Sequence, residues 1–232
     1  MDGAKSLMET IDIVVGFDQR EAVAYHVFCQ SVLERTSRPV RFLPLVQGSL
    51  SGYREKHSDG SNAFTYSRFL CPQLMKYNGY VIYADGDMIC NTDIAKLWDL
   101  RDPSKAVQVV KHHYRTMANR KYFGSRNEDY PRKNWSSVVI WNCQHPKNRI
   151  LTADFIDNKT GSFLHRFQWL EDSEIGDLPA EWNWLATEYE SNSMVKLIHY
   201  TLGTPCFDAY RDSEMAEAWH SAFDRTTQGI DR

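Results

Sequence analysis

Two aspartates one residue apart, Asp85 and Asp87, follow directly on the apolar run Gly79–Ala84 (GYVIYA). Paired carboxylates of this kind can face one hard cation, and the intervening Gly86 leaves room for a phosphate to approach the backbone. The spacing alone says little, because 18 Asp in 232 residues produce about one D-x-D by chance. Its position carries the weight. In open α/β sheets ligands collect beyond the carboxyl ends of strands, which is where GYVIYA delivers the pair. The plain alternative is a turn whose aspartates cap the next helix. A calcium loop of the EF-hand type is excluded: counted from Asp85, its sixth and twelfth positions would be Cys90 and Lys96, where Gly and Glu are required.

Strands and helices alternate along the chain around this pair. Ile11–Gly16 (IDIVVG) reads as a strand, Glu21 to Glu34 has helical spacing, and Val40–Val46 reads as a second strand. Gly48 to Asn62 is rich in Gly and Ser and forms a long loop. Helical spacing returns from Ala63 to Met75, ahead of the strand that ends in the acidic pair. Lys105–Val110, Ser136–Trp141 and Val195–Tyr200 read as further strands, and Phe155 to Trp169 as partly helical. Lys111 to Lys133 is basic, aromatic and without period, an excursion placed to border a site. This order predicts an α/β fold: one domain over 1–232, with a mostly parallel central sheet flanked by helices, a core at about 11–207, a short polar N-terminal extension and a helical C-terminal one.

The bulk composition narrows the functional classes. A formal net charge of -3 supplies no basic field for nucleic acid or an anionic membrane. Five scattered cysteines, none in C-x-x-C spacing, suit reduced thiols better than a disulfide framework or zinc. With a polar N-terminus and no long apolar run, the expectation is a cytoplasmic protein without a membrane span. A phosphatase of the haloacid dehalogenase type also places D-x-D after a strand. That family puts the pair after the first strand, whereas here it lies mid-chain, so the phosphatase is the weaker enzyme expectation.

An ordered set of segments, VVGFD, AFTYSRFLCPQL, GYVIYADGDMICNTDIAKLWDL, NWSSVVIWN, LPAEWNWL and HYTLGTPCF, resembles glycosyltransferases of the GT-A (Rossmann-like) fold, in particular the retaining family 8 group. The resemblance spans Ile11 to Phe207. It implies transfer of a sugar from a nucleotide diphosphate donor, UDP-sugar favoured, to a hydroxyl acceptor with retention. The acceptor stays open among a glycan, a protein, a small glycoside and modified DNA. A sugar-nucleotide-binding protein without appreciable turnover is the alternative, since fold does not fix function.

Position by position, the resemblance makes Asp85, Asp87 and His199 the ligands of Mn²⁺ or Mg²⁺, with Asp85 also near the donor ribose. His199, Gly203 and Phe207 match the family's H-x-x-x-G-x-x-x-aromatic ending. Gly16 and Asp18 correspond to the position that meets the base and ribose, although Asp18 can equally cap the helix beginning near Glu21. Arg68 matches a helix arginine that approaches the donor, and Ser136 and Ser137 replace the Ala-Gly of a strand passing the sugar. Trp182 and Asn183 fall on the acceptor side. Two departures stand out. The lysine expected on the diphosphate is Pro205, so another cation must help the metal, and the family's D-Q-D segment has only Gln168 and Asp172 nearby as catalytic candidates.

Overall fold

The structure, a computed structural model, describes residues 9–116, 118, 120–121, 124, 127–190 and 192–228. The outer parts of both terminal extensions and part of the Lys111–Lys133 excursion lie outside the described residues. A six-stranded sheet has the order β2-β1-β3-β6-β5-β7, built from β1 (Ile11–Gly16), β2 (Val40–Leu45), β3 (Tyr80–Ala84), β5 (Val107–Val109), β6 (Val138–Asn142) and β7 (Ile175–Asp177). β1 runs parallel to β2 and β3, and β5 parallel to β7, while β6 is antiparallel to both β3 and β5. The expected α/β sheet is therefore present, with one strand reversed in its middle.

The central strands are apolar on both faces because both faces are covered. Side chains alternate: Ile11, Ile13 and Val15 of β1 join Ile82 and Ala84 of β3 beneath Phe28 and Val32 of helix α1 (Ala22–Leu33). Val14, Val81, Tyr83, Val139 and Trp141 point to the opposite layer, which holds Phe69, Leu164 and Phe167. Ala63 to Met75 is not one helix. It passes through a 3-10 turn at Ser67–Leu70 into the short α2 (Cys71–Leu74). Pro72 has no N–H to give the carbonyl of Arg68, so a continuous α-helix cannot run through this point. Two short helices, α4 (Ala153–Asp157) and α5 (Gly161–His165), are capped by Thr152 and Thr160 and account for the partly helical Phe155 to Trp169.

A second sheet, β4 (Met88–Cys90), β9 (Leu197–His199) and β8 (Trp184–Leu185), lies beyond the acidic pair. Its outer face is covered by α1 and by α6 (Ala216–Thr226), with Val27, Ile89, Ile198, Tyr200 and Trp219 in one cluster. β4, β7 and β8 are too short to show a period and were not foreseen, whereas the equally short β5 and β9 were read because apolar residues extend them in sequence, as Lys105–Val110 and Val195–Tyr200. The turn Asp85-Gly86-Asp87 joins the two sheets.

Candidate functional site

Asp85 leaves the end of β3 with its N–H bonded to the carbonyl of Ser137 at 2.9 Å. Its carboxylate is gripped by Arg68 Nη1 at 2.9 Å and accepts the Tyr83 hydroxyl at 2.5 Å. Arg68 is itself fixed, donating to the carbonyls of Phe64 and Ser136 and packed between the rings of Phe64 and Tyr83. Burial raises the Asp85 carboxyl above its ordinary value, Arg68 opposes this, and the neighbouring Asp87 adds to it.

Asp87 is held by the second sheet. Its carbonyl accepts Tyr200 N–H at 3.0 Å, and Met88 pairs with His199 in the antiparallel register of β4 and β9. Strand pairing thus sets His199 beside the acidic turn, with Nε2 3.4 Å from Asp87 Oδ1. Burial pushes the Asp87 carboxyl up, but His199, followed by Lys121, more than reverses this and holds it below the ordinary value. Asp87 Oδ1 is buried without a hydrogen-bond partner.

Asn183 settles how His199 presents itself. Its Nδ2 donates to the carbonyl of Asn134 at 3.1 Å, which turns Oδ1 toward His199 Nδ1 at 2.8 Å. An amide oxygen only accepts, so Nδ1 carries a proton, and Nε2 is the nitrogen turned toward Asp87, able to give its lone pair to a cation once it carries no proton. The ligand atoms of Asp85, Asp87 and His199 lie within 4.8 Å of one another, all three side chains buried. Two carboxylates and one imidazole suit Mn²⁺ or Mg²⁺, and the orphaned oxygen is the atom a cation would satisfy.

A cavity of about 90 Å³ opens on this cluster, walled by Arg68, Lys121, Tyr130, Ser136, Ser137 and His165, among others. It holds about three waters at liquid density. Beyond Thr65, Lys121, Tyr130 and His165 it adjoins a hollow of about 650 Å³. Ser61 and Asn62 from the long loop and Lys121 and Tyr130 from the excursion both reach the inner cavity, so both segments border it.

Other expected residues fall elsewhere. Asp18 spends every acceptor position locally: Oδ1 takes the N–H and Nε of Arg20, and Oδ2 takes Arg20 Nη2 and Ala63 N–H. It caps the turn Gln19–Glu21 and pins the long loop. A Cβ on Gly16 would meet the Phe64 ring at 2.6 Å, and one on Gly86 the carbonyl oxygen of Gly16 at 2.4 Å. These glycines therefore serve close packing of β1 against the loop and the acidic turn. Gly203 is buried at φ 154°, and from its turn Thr201 lines the cavity. Trp182 and Asn183 are buried at 1% and 0% exposure and present no face to an acceptor.

Gln168 is exposed, and Asp172, 87% exposed, is paired with Arg132; neither walls the cavity. The side chain that reaches in from this region is His165, whose Nδ1 meets Ser136 Oγ at 2.7 Å. Burial, with Arg68 and Lys121 nearby, pushes its pKa down to about 3, so the ring is neutral. Tyr83, Lys121, Tyr130, His165 and Thr201 were missed as individuals. Tyr83 carried a signal, since period 2 in YVIYA puts it on the same face as Asp85.

The chain that brings this cluster together is similar to known proteins. The family description "Glycosyl transferase family 8" matches residues 17–204. Protein CDI of Arabidopsis thaliana is 43% identical over 216 residues, covering 89% of this chain and 83% of that one. Among solved structures, the bifunctional glycosyltransferase WbbM superposes with a TM-score of 0.67 at 14% identity, over 95% of this chain and 50% of that chain. GlyE of Streptococcus pneumoniae TIGR4 gives 0.62 at 13%, over 92% of this chain and 60% of that one. This chain thus spans about half to three-fifths of those two. The galactosyltransferase LgtC, solved with donor and acceptor sugar analogs, gives 0.56 at 15%, over 93% and 96%. These likenesses show the GT-A fold, and with the match over residues 17–204 they place the chain in glycosyl transferase family 8.

Proposed function

We propose that the chain transfers a sugar from a nucleotide diphosphate donor, UDP-sugar favoured, to an acceptor hydroxyl with retention at the anomeric carbon, using Mn²⁺ or Mg²⁺ on Asp85, Asp87 and His199. One observation carries this: three buried ligand atoms converge within 4.8 Å, one of them an Asp87 oxygen with no hydrogen-bond partner. Bound there, a divalent cation supplies charge neutralisation for a departing diphosphate. The chain's own residues do the rest. Arg68 and Tyr83 lock the Asp85 carboxylate, Asn183 holds His199 in the ligating tautomer, and the neutral His165 with Ser136 offers polar atoms to sugar hydroxyls. The small inner cavity keeps bulk water from the anomeric carbon.

In the same proposal 1–232 act as one glycosyltransferase domain, and the five free thiols suit the cytoplasm. No described helix is long and apolar enough to cross a membrane.

Thermal unfolding with UDP or GDP tests the metal-diphosphate site. Saturation at about 100 times Kd stabilises a protein by about 2.7 kcal/mol, visible as a rise in Tm of several degrees. The rise is expected with Mn²⁺ and not with EDTA, and Asp87→Asn should abolish it together with transfer. An equal rise in EDTA, or normal turnover by Asp87→Asn, would remove the metal from the mechanism.

A further inference from the structure

We infer that Lys121, which lies between β5 and β6 in the chain, is the cation that meets the donor's diphosphate. The inference rests on the diphosphate-donor function proposed above. Lys121 walls both the inner cavity at Asp85, Asp87 and His199 and the adjoining hollow. Among the described residues its ammonium has no hydrogen bond and no ion pair of its own. Lys121 is half-buried, and an ammonium partly withdrawn from water costs free energy unless an anion meets it. Its electrostatic neighbours are Asp87, then Asp85, then Glu188, so it faces the carboxylates that would hold the cation.

Charge matching assigns its role. Two carboxylates offset the two charges of a divalent cation, and a nucleotide sugar's diphosphate brings two negative charges of its own. Arg68 and Lys121 are the described lysines and arginines lining the cavity. Arg68 is already committed to Asp85 and to the carbonyls of Phe64 and Ser136. The turn from Thr201 to Phe207 (TLGTPCF) contains no lysine or arginine, with Pro205 near its end. Lys121 is left as the side chain able to shift onto phosphate oxygen.

The test uses opposite signs. In the full chain, calorimetry measures Mn²⁺ alone, then UDP and GDP in the presence of Mn²⁺, with UMP and GMP as single-phosphate controls. Lys121→Met should bind Mn²⁺ alone about threefold more tightly, because a like charge has been removed, yet bind the diphosphate about tenfold more weakly. Lys121→Arg should retain most of the diphosphate affinity, and the monophosphates should change little. A purely structural Lys121 would weaken both ligands together, and circular dichroism and Tm would show the loss of fold. Equal diphosphate affinity in Lys121→Met and wild type overturns the inference alone. A wild-type chain that binds neither diphosphate with Mn²⁺ overturns the proposed function as well.

Discussion

Replacing Asn183 by Leu should uncouple metal affinity from the metal ligands themselves. Asn183 touches none of the atoms a cation would touch; it sits fully buried between the Asn134 carbonyl and His199 Nδ1. Leu is close in size and removes both hydrogen bonds, leaving one carbonyl and one ring N–H buried without partners. Each such loss costs about 1–3 kcal/mol, so stability should fall by about 2–6 kcal/mol, with a Tm drop near ten degrees. The effect on the site is separate. Without an acceptor at Nδ1 the neutral ring can move its proton to Nε2, and the lone pair then points away from Asp87. Loss of such a supporting contact weakens metal binding about 10–100-fold. Isothermal titration with Mn²⁺, run well below the variant's Tm, measures this directly. Asn183→Asp is the informative companion: it keeps an acceptor on Nδ1–H but sets a carboxylate against the Asn134 carbonyl, so it should lose stability while retaining more Mn²⁺ affinity than Leu. Unchanged Mn²⁺ affinity in Asn183→Leu would refute either the tautomer argument or His199 as a ligand.

Gly86→Ala should fold poorly, because its Cβ would lie 2.4 Å from the backbone oxygen of Gly16; a loss of about 1–3 kcal/mol in urea unfolding is expected, and an unchanged midpoint would show that the turn can relax. The long loop should respond to pH through His57. Burial alone would lower the pKa of its ring, yet the Lys159 carbonyl and Glu55 bonded to its two nitrogens raise it above the ordinary value. A group whose folded pKa is raised lends its stability fully below the unfolded value near 6.5 and loses it as pH climbs through the folded one. Amide exchange in the Gly48 to Asn62 loop should accordingly quicken above neutrality, and His57→Gln should flatten that dependence; a wild-type loop whose relative protection is constant from pH 5 to 9 would refute it.

What the sequence made legible follows element length. IDIVVG and GYVIYA are long enough, and apolar enough, to declare buried parallel strands, and the second one located Asp85 and Asp87. β4, β7 and β8 have no period to read, so of the small sheet beside the acidic pair only β9 was visible, as the strand Val195–Tyr200 and through the segment HYTLGTPCF. Local chemistry could be read at Asp18, a capping residue by type and place, but not the saturation of its carboxylate by Arg20 and Ala63. Asn183 and Trp182 illustrate the opposite limit. Their types fit a sugar surface, and nothing in LPAEWNWL announces that both side chains turn inward. His165 was hidden because α5 is one turn long and its face cannot be assigned from spacing.

The division of the candidate ligands between two sheets has a mechanical consequence. Asp85 belongs to the large sheet through β3 and Ser137, whereas Asp87 and His199 belong to the small one through Tyr200 and the β4–β9 pairing. Gly86 alone separates them in the chain, and its contact with Gly16 fixes how closely the turn lies against β1. Burial is the main cause that raises the Asp85 carboxyl, and the neighbouring Asp87 adds to that cost. Arg68 relieves that cost for Asp85 only. Asp87 keeps an oxygen without a hydrogen bond, and under the proposed function a cation that meets it would also tie the small sheet to the large one. If the proposed function holds, metal binding and the docking of β4–β9–β8 would share one free energy, so a substitution in α6 that loosens the small sheet should weaken Mn²⁺ binding although it lies far from the acidic pair.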